Sequence, residues 1–259
     1  MIEILYDGFL KRARSIIKEI EIGDFSGSNE VPYSDQYPIT KKGGGAILAC
    51  PRVNMQRVFG GRKDVEKIIC HGRESLVFLS EGVSIKGSRL EVVGQRSGIL
   101  IGKNVRMKGV TLKLYGDDGL IVIGAESSWE SGAALCIGGR SIAIGNDCMF
   151  SNGVGMRTND DHGIWDNKTG KRINPSKDIV VGHHVWLGNG SRLNKGSNVG
   201  MGSIVGQFAV VSGDVEAECI YAGIPARKIR GDVHWTRHDD NDDMPKEYRV
   251  SFNGAVAQS

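Results

Sequence analysis

From Val181 to Val211 an aliphatic residue stands at every sixth position: Val181, Leu187, Leu193, Val199, Val205 and Val211. The residue after each is Gly182, Gly188, Asn194, Gly200, Gly206 or Ser212, and the residue four after each is Val185, Ser191, Ser197, Ser203, Ala209 or Val215. A helix repeats its apolar face every 3.6 residues and a half-buried strand every two, so neither sustains a period of six. A parallel β-solenoid does. Each hexapeptide supplies one short strand and one turn, and three of them close one coil of about 18 residues. The aliphatic residue points into the prism, and the small or apolar residue four later fits its crowded corner.

A second, longer period precedes this one. Val77-Phe78-Leu79-Ser80, Ile99-Leu100-Ile101-Gly102, Ile121-Val122-Ile123-Gly124 and Ile142-Ala143-Ile144-Gly145 repeat at spacings of 22, 22 and 21. Their corner residues are Val83, Val105, Ser127 and Cys148, and turn clusters recur at matching offsets near 94–98, 116–119 and 138–140. This is the same solenoid with about four extra residues at one corner of each coil. A glycine count of 37 and an aromatic content of 7% suit a fold made of tight turns.

The pattern breaks once. Ile144, Phe150 and Met156 keep the step of six, the next position would be 162, and the register resumes only at Val181. A polar loop at about 157–178 is therefore ejected from the solenoid. Loops of this length in a compact repeat are usually functional.

The flanks are less regular. Over residues 2–20, Leu5, Phe9, Ala13, Ile16, Ile17 and Ile20 fall on one helical face, with Lys11, Arg12, Arg14, Lys18 and Glu19 mostly on the other. Such a helix packs on the body or covers an open solenoid end, where strand edges would otherwise be bare; a basic membrane-surface helix is the alternative. Residues 23–75 are broken by Gly43-Gly44-Gly45, with strand-like pieces at 46–49 and 68–70 that suit an irregular first coil. We divide the chain into an N-terminal helix and irregular segment (1–75), the solenoid (76–230) and a C-terminal tail (231–259), whose acidic run at 239–243 reads as solvated. A net charge of +3 gives no nucleic-acid footprint. Five cysteines (50, 70, 136, 148 and 219) without CxxC spacing do not make a disulfide framework. No apolar run reaches membrane-spanning length and the N-terminus lacks a signal-peptide pattern, so a cytoplasmic protein is expected, meeting membranes only through partners.

Three stretches carry a resemblance. They are Asn159-Asp160-Asp161-His162 with Gly170-Lys171-Arg172-Ile173-Asn174, then Ile179-Val180-Val181-Gly182-His183-His184-Val185-Trp186-Leu187-Gly188, then Gly223-Ile224-Pro225-Ala226-Arg227-Lys228-Ile229-Arg230. From about 77 to 230 the chain resembles the hexapeptide-repeat acyltransferases. The match is to the branch of bacterial acetyltransferases acting on capsules, O-antigens and similar polysaccharides, including polysialic acid O-acetyltransferases. The resemblance implies a left-handed parallel β-helix, a homotrimer with active sites between subunits, acetyl-CoA as co-substrate with no permanently bound cofactor, and a saccharide hydroxyl as acceptor. Handedness rests on the resemblance alone, because chain physics favours right-handed crossovers.

Acyl transfer to a hydroxyl needs a base that titrates near neutrality, which histidine supplies. His162 sits at the loop position where the resemblance places that base; Asp160 or Asp161, near in sequence, or equally a backbone carbonyl could orient it, and the two aspartates are candidates to meet substrate. Trp186 follows the corner residue Val185 and so points outward. Its indole N–H can only donate and suits a thioester carbonyl or the oxyanion formed from it. The resemblance pairs it with His162; packing at a subunit interface is the plainer reading. His183 and His184 suggest the shared-histidine zinc site of γ-carbonic anhydrases on a similar solenoid. Adjacent strand residues point to opposite sides, however, so no metal is expected. His184 is expected to bond within the corner and His183 to face the acceptor cleft. Small residues at Gly188, Gly190, Ser203 and Ala209 would admit a pantetheine arm close to backbone. Lys195, Arg227, Lys228 and Arg230 are candidates for coenzyme A phosphates, and Arg172 and Asn174 for substrate contacts. Two other functions compete: N-acetylation of a nucleotide-linked amino sugar, and a non-catalytic scaffold.

Overall fold

The computed structural model describes residues 2–23, 28–30, 39–42, 46–49, 67–239 and 245–248. The chain winds into a three-faced solenoid whose sheets hold nine, eight and eight strands. The first face stacks Ala46–Ala49, Leu76–Leu79, Gly98–Ile101, Leu120–Ile123, Ser141–Ile144, Ile179–Val181, Asn198–Val199 and Asp214–Val215 in parallel. From each coil of the first face the chain passes to the third face, then to the second, and returns one step further along. The third face runs from Ser84–Lys86 through Arg106–Lys108, Ser128–Trp129, Met149–Phe150, Trp186–Leu187 and Ile204–Val205 to Ile220–Ala222. The second runs from Ile39–Lys42 and Lys67–His71 to Arg192–Leu193 and Val210–Val211. Antiparallel strands close both ends of the stack: Asn29–Glu30 on Ala46–Ala49, and Arg227–Arg230 on Ile220–Ala222. The ladder thus starts before residue 76, because Ala46–Ala49 pairs with Leu76–Leu79 and Ile39–Lys42 with Lys67–His71. Gly43-Gly44-Gly45, Cys50 and residues 240–243 of the acidic run lie outside the described residues.

All six aliphatic residues of the strict repeat face the prism interior, each at most 2% exposed. Two of the buried corner serines have their hydroxyls satisfied locally, Ser197 Oγ donating to Asn194 O at 2.7 Å and Ser203 Oγ to Gly200 O at 2.6 Å, while the Ser191 hydroxyl is buried without a partner among the described residues. A serine there is small enough for the corner and cancels one turn carbonyl that would otherwise be buried unpaired.

Helix α1, Ile2–Ile16, lies along the first face rather than over an end. Tyr6, Phe9 and Ala13, with Ile17, Ile20 and Ile22 beyond the helix, pack on Leu76, Phe78, Leu100, Leu120, Val122 and Ala143. This explains the continuous apolar tetrads of the longer repeat. Their strands are buried on both sides, one by the prism and the other by the helix. The helix is pinned by polar contacts as well. Arg12 donates to Asp118 O at 2.6 Å and Ser141 Oγ at 2.8 Å, and Tyr6 Oη to Gly23 O at 2.9 Å. Beyond it, Asn146 Oδ1 accepts from Glu21 N at 2.9 Å and Asn146 Nδ2 donates to Glu19 O at 3.0 Å. Asn146→Ala strips two backbone groups of their partner at a site 4% exposed. It is expected to lower stability by about 1–3 kcal/mol, read as a shift in the denaturant midpoint at unchanged slope.

Cys70, Cys136, Cys148 and Cys219 are buried. No helix among the described residues is long and apolar enough to cross a membrane.

Candidate active site

The ejected loop leaves the edge between the second and first faces, after Val154–Arg157, and returns at Ile179–Val181. Its outer part is a small hairpin. Ile173 N donates to Ile164 O at 2.8 Å, Trp165 bridges to Arg172, and the Asp166 carboxylate turns the tip by accepting from the backbone of Lys168 and Thr169. Its base is held by Asn174, only 7% exposed. Asn174 Oδ1 accepts from Ile164 N at 2.7 Å and Arg172 Nε at 3.1 Å, and its Nδ2 donates to Asp160 Oδ2 at 2.9 Å and to His162 O at 2.8 Å. Lys195, from the next coil, donates to Asp160 and, at 3.0 Å, to Asn174 O. That ammonium, together with the Asn174 amide, holds the Asp160 carboxyl below the usual carboxylate range. Asp161 pairs with Arg157.

Both aspartates before His162 are therefore paired with cations, Asp160 with Lys195 and Asp161 with Arg157. What fixes His162 is its backbone: its N–H donates to Asp160 O at 2.8 Å and its carbonyl accepts from Asn174. The ring itself is solvent-exposed. Lys195, read from sequence as a phosphate ligand, instead braces the loop. Arg172 and Asn174 are part of the same brace. The arm carries Ile164, Trp165 and Ile173 at 53%, 60% and 59% exposure, an apolar strip on an otherwise polar segment.

Trp186 stands on the third face, across the prism from the loop's edge, in register with Met149 on one side and Ile204 on the other. It is 36% exposed, as its outward position requires. Behind it the C-terminal tail folds back. Trp235 lies 6.1 Å from Trp186 and stacks on His184 at 4.1 Å. Trp235 Nε1 donates to His184 O at 2.9 Å, and His184 Nε2 meets Trp235 O at 2.9 Å while its Nδ1 meets Asp147 Oδ2 at 2.7 Å. Both ring nitrogens thus face an oxygen. Arg237 completes the clamp, donating to Asp147 Oδ1 from Nε at 2.9 Å and Nη2 at 2.8 Å.

Burial pushes the Asp147 carboxyl up, but the bonds from His184 and Arg237 outweigh it and hold the group below its ordinary value of 3.8. A carboxyl depressed by folding stabilises above its unfolded pKa and loses that contribution as pH falls through its folded pKa. The tail clamp is thus expected to hold at neutrality and to open only in acid below the ordinary carboxylate range, where Asp147 takes up its proton. A change in Trp235 fluorescence that Trp235→Phe abolishes would report this; Asp147→Asn should already show the open signal at pH 7.

Of the two adjacent histidines, His184 bonds within the corner as expected and His183 does not face the loop. His183 Nδ1 accepts from Asn146 N at 3.0 Å, which leaves its Nε2 to donate to Lys18 O at 2.9 Å, and its ring stacks on Tyr248 at 5.7 Å. It lines a cleft between the helix end and the tail. It ties the N-terminal segment to the solenoid. The two rings have separate hydrogen-bond partners but both stack on Tyr248, at 5.7 and 5.8 Å, because the pair sits in a bend rather than in a strand.

The small residues on the C-terminal coils have structural reasons of their own. A Cβ on Gly188 would come 2.7 Å from Gln207 N of the next coil, so coil stacking itself demands glycine. Gly190, at φ +68°, is covered by the ring of Phe208, which a Cβ would meet at 2.5 Å. Ser203 and Ala209 are buried corner residues whose N–H groups close turns onto Gly200 O and Gly206 O. Of the basic candidates at the solenoid end, Lys228 pairs with Glu216 at 2.6 Å, while Arg227 and Arg230 are exposed on the closing strand. The sequence reading missed the clamp of Asp147, His184, Trp235 and Arg237. A tryptophan in a tail otherwise without apolar pattern was its one available signal.

A parallel three-faced solenoid with a six-residue core period, one ejected loop carrying an exposed histidine, and an outward tryptophan one coil later together define the hexapeptide-repeat transferase architecture. Comparison with known proteins finds similarity to polysialic acid O-acetyltransferases. The enzyme of that name from Escherichia coli O1:K1 / APEC is 37% identical over 131 residues, 51% of this chain and 43% of that protein. The one from Neisseria meningitidis is 49% identical over 47 residues, 18% of this chain and 22% of that protein. The matched stretch thus spans less than half the length of either curated relative. The solved structure of the polysialic acid O-acetyltransferase OatWY superposes with a TM-score of 0.73 at 25% identity, covering 82% of this chain and 99% of that one. That of the polySia-specific acetyltransferase NeuO gives 0.56 at 23%, covering 87% and 99%, and shares the fold. No protein-family model matches the chain.

Proposed function

We propose that this chain is an O-acetyltransferase that moves acetyl from acetyl-CoA directly to a hydroxyl of an anionic bacterial surface polysaccharide, with polysialic acid the first acceptor to test. The similarity to the Escherichia coli polysialic acid O-acetyltransferase over 131 residues carries this reading. In it, the acceptor oxygen attacks the thioester carbonyl carbon while His162 takes the hydroxyl proton. The tetrahedral oxyanion accepts the Trp186 indole N–H. Collapse breaks the carbon–sulfur bond, and the departing thiolate takes the proton back from His162. The products are an acetyl ester and free coenzyme A.

Within one chain, His162 and Trp186 lie on opposite sides of the prism. The reaction therefore calls for a homotrimer in which the loop of one subunit lies against the third face of the next. The exposed Ile164, Trp165 and Ile173 favour this, since an apolar strip of this kind is normally covered by a partner. Direct transfer fits the thiols: burial pushes Cys136 and Cys148 up to about 12, which leaves them inert as acyl carriers. Arg227 and Arg230 are the exposed cations best placed for coenzyme A phosphates. The donor, a cytoplasmic metabolite, puts the reaction in the cytoplasm.

Thiol release from acetyl-CoA, measured against polysialic acid, neutral capsular saccharides and nucleotide-linked amino sugars, tests the reading. Polysialic acid is expected to give the highest rate. Turnover confined to the amino sugars would overturn it.

A further inference from the structure

The third face carries Trp186, and the rest of that face has a use. Its outward residues stack in two columns. One runs Ser84, Arg106, Ser128, Met149, Trp186, each strand pairing with the next. The other begins with Lys86 directly opposite Lys108. Lys86, Arg106 and Lys108 are exposed while Ile85 and Met107 between them fill the core. Among the described residues none of the three has an acidic or hydrogen-bonding partner. Cations close by do have them: Lys103 pairs with Glu81 at 2.7 Å, and Arg237 with Asp147 at 2.8 Å.

Like charges directly opposite in a ladder destabilise a sheet. Here two lysines face one another one strand spacing apart, and an arginine stands two residues before one of them. Among the described residues Glu130 is an exposed acid on the same part of the face, at the Trp186-proximal side of Lys108, and Arg237 of the tail donates to Ser128 Oγ at 3.1 Å. Three positive charges, of which only Lys108 has an acidic neighbour on the adjoining strand, thus begin three strand spacings, roughly 14 Å, from Trp186 along the prism axis. That distance is too long for the sugar unit being acetylated and suits a later unit of the same chain.

We propose that Lys86, Arg106 and Lys108 form a track for a polyanionic glycan, which lies along the third face with its reacting unit at Trp186 and more distal carboxylates on the three cations. This rests on the acetyltransferase reading above and adds to it where, and by what, a long acidic acceptor is held. The track makes the enzyme prefer polymer over precursor, and the preference is electrostatic.

The test is steady-state acetylation of long-chain polysialic acid and of its dimer, by wild type and by the triple variant Lys86→Glu, Arg106→Glu, Lys108→Glu. All three sites are exposed, so the variant folds; an unchanged denaturation midpoint checks this. For the polymer, KM is expected to rise roughly tenfold or more at nearly constant kcat. For the dimer neither parameter should move. Raising salt should weaken the wild type's polymer KM towards that of the variant. A Lys86→Arg, Lys108→Arg variant should retain wild-type behaviour. Wild-type KM for the polymer in the triple variant, or an equal loss for polymer and dimer, overturns the track while leaving the acetyltransferase reading in place. Failure of the wild type to acetylate either acceptor overturns the reading itself and the track with it.

Discussion

Replacing His162 with alanine is expected to lower kcat by about 10²–10⁴-fold, the usual contribution of a positioned general base. The reason lies in the hydroxyl acceptor, which is a poor nucleophile until its proton is removed as the carbon–oxygen bond forms. The structure makes the variant easy to interpret. The His162 ring is exposed, and the loop is held by other groups: Asn174 bonds His162 through its carbonyl, and Lys195 bonds Asp160 and Asn174. His162→Ala should therefore leave the denaturation midpoint, the oligomeric state and coenzyme A affinity unchanged while turnover collapses. Asn174→Ala supplies the contrast. It releases four hydrogen bonds at the loop base, so it should reduce activity by displacing the loop and also expose the arm to proteolysis.

Trp186→Phe is expected to reduce kcat by about 10²-fold, as removal of one oxyanion donor does. Phenylalanine keeps an aromatic ring between Met149 and Ile204 and against Trp235, but it has no N–H. Loss in this variant at constant KM assigns the effect to the lost N–H donor rather than to packing. Trp186 and His162 stand on opposite sides of one prism, so the two defects should complement. Co-expressed His162→Ala and Trp186→Phe chains would form mixed trimers containing some sites with both residues intact. Those assemblies should recover part of the wild-type rate, and separately purified variants should not. Wild-type kcat in Trp186→Phe would reduce this residue to a packing element.

The solenoid was legible in the sequence because a β-strand of one coil has little freedom. Each inward position meets the same crowded axis, so Val181 to Val211 repeat one chemical choice and the serines repeat another. The helix was legible from Phe9, Ala13 and Ile17, but its seat was not. Lateral packing depends on the outer sides of Phe78, Leu100 and Val122, residues that read equally well as doubly buried strands. The loop was legible as an interruption. Its internal wiring was not, because Lys195 reaches Asp160 across 35 positions and nothing in local pattern pairs them. The tail clamp joins Trp235 to His184 across 51 positions in the same way. His183 shows the limit most clearly. Strand alternation was expected to send it and His184 to opposite sides, but the pair sits in a bend with both rings stacked on Tyr248, and the carbonyl of Lys18 that it bonds belongs to a segment whose position was unknown.

The most direct measurement is of the product: polysialic acid incubated with acetyl-CoA and enzyme, then analysed by NMR for acetyl esters alongside the thiol released. Wild type is expected to form one ester per thiol, on hydroxyl oxygen, and His162→Ala almost none. Acetyl appearing on nitrogen, an unchanged ester yield in His162→Ala, or thiol release without any ester on the glycan would contradict base-assisted acetyl transfer to a polysaccharide hydroxyl.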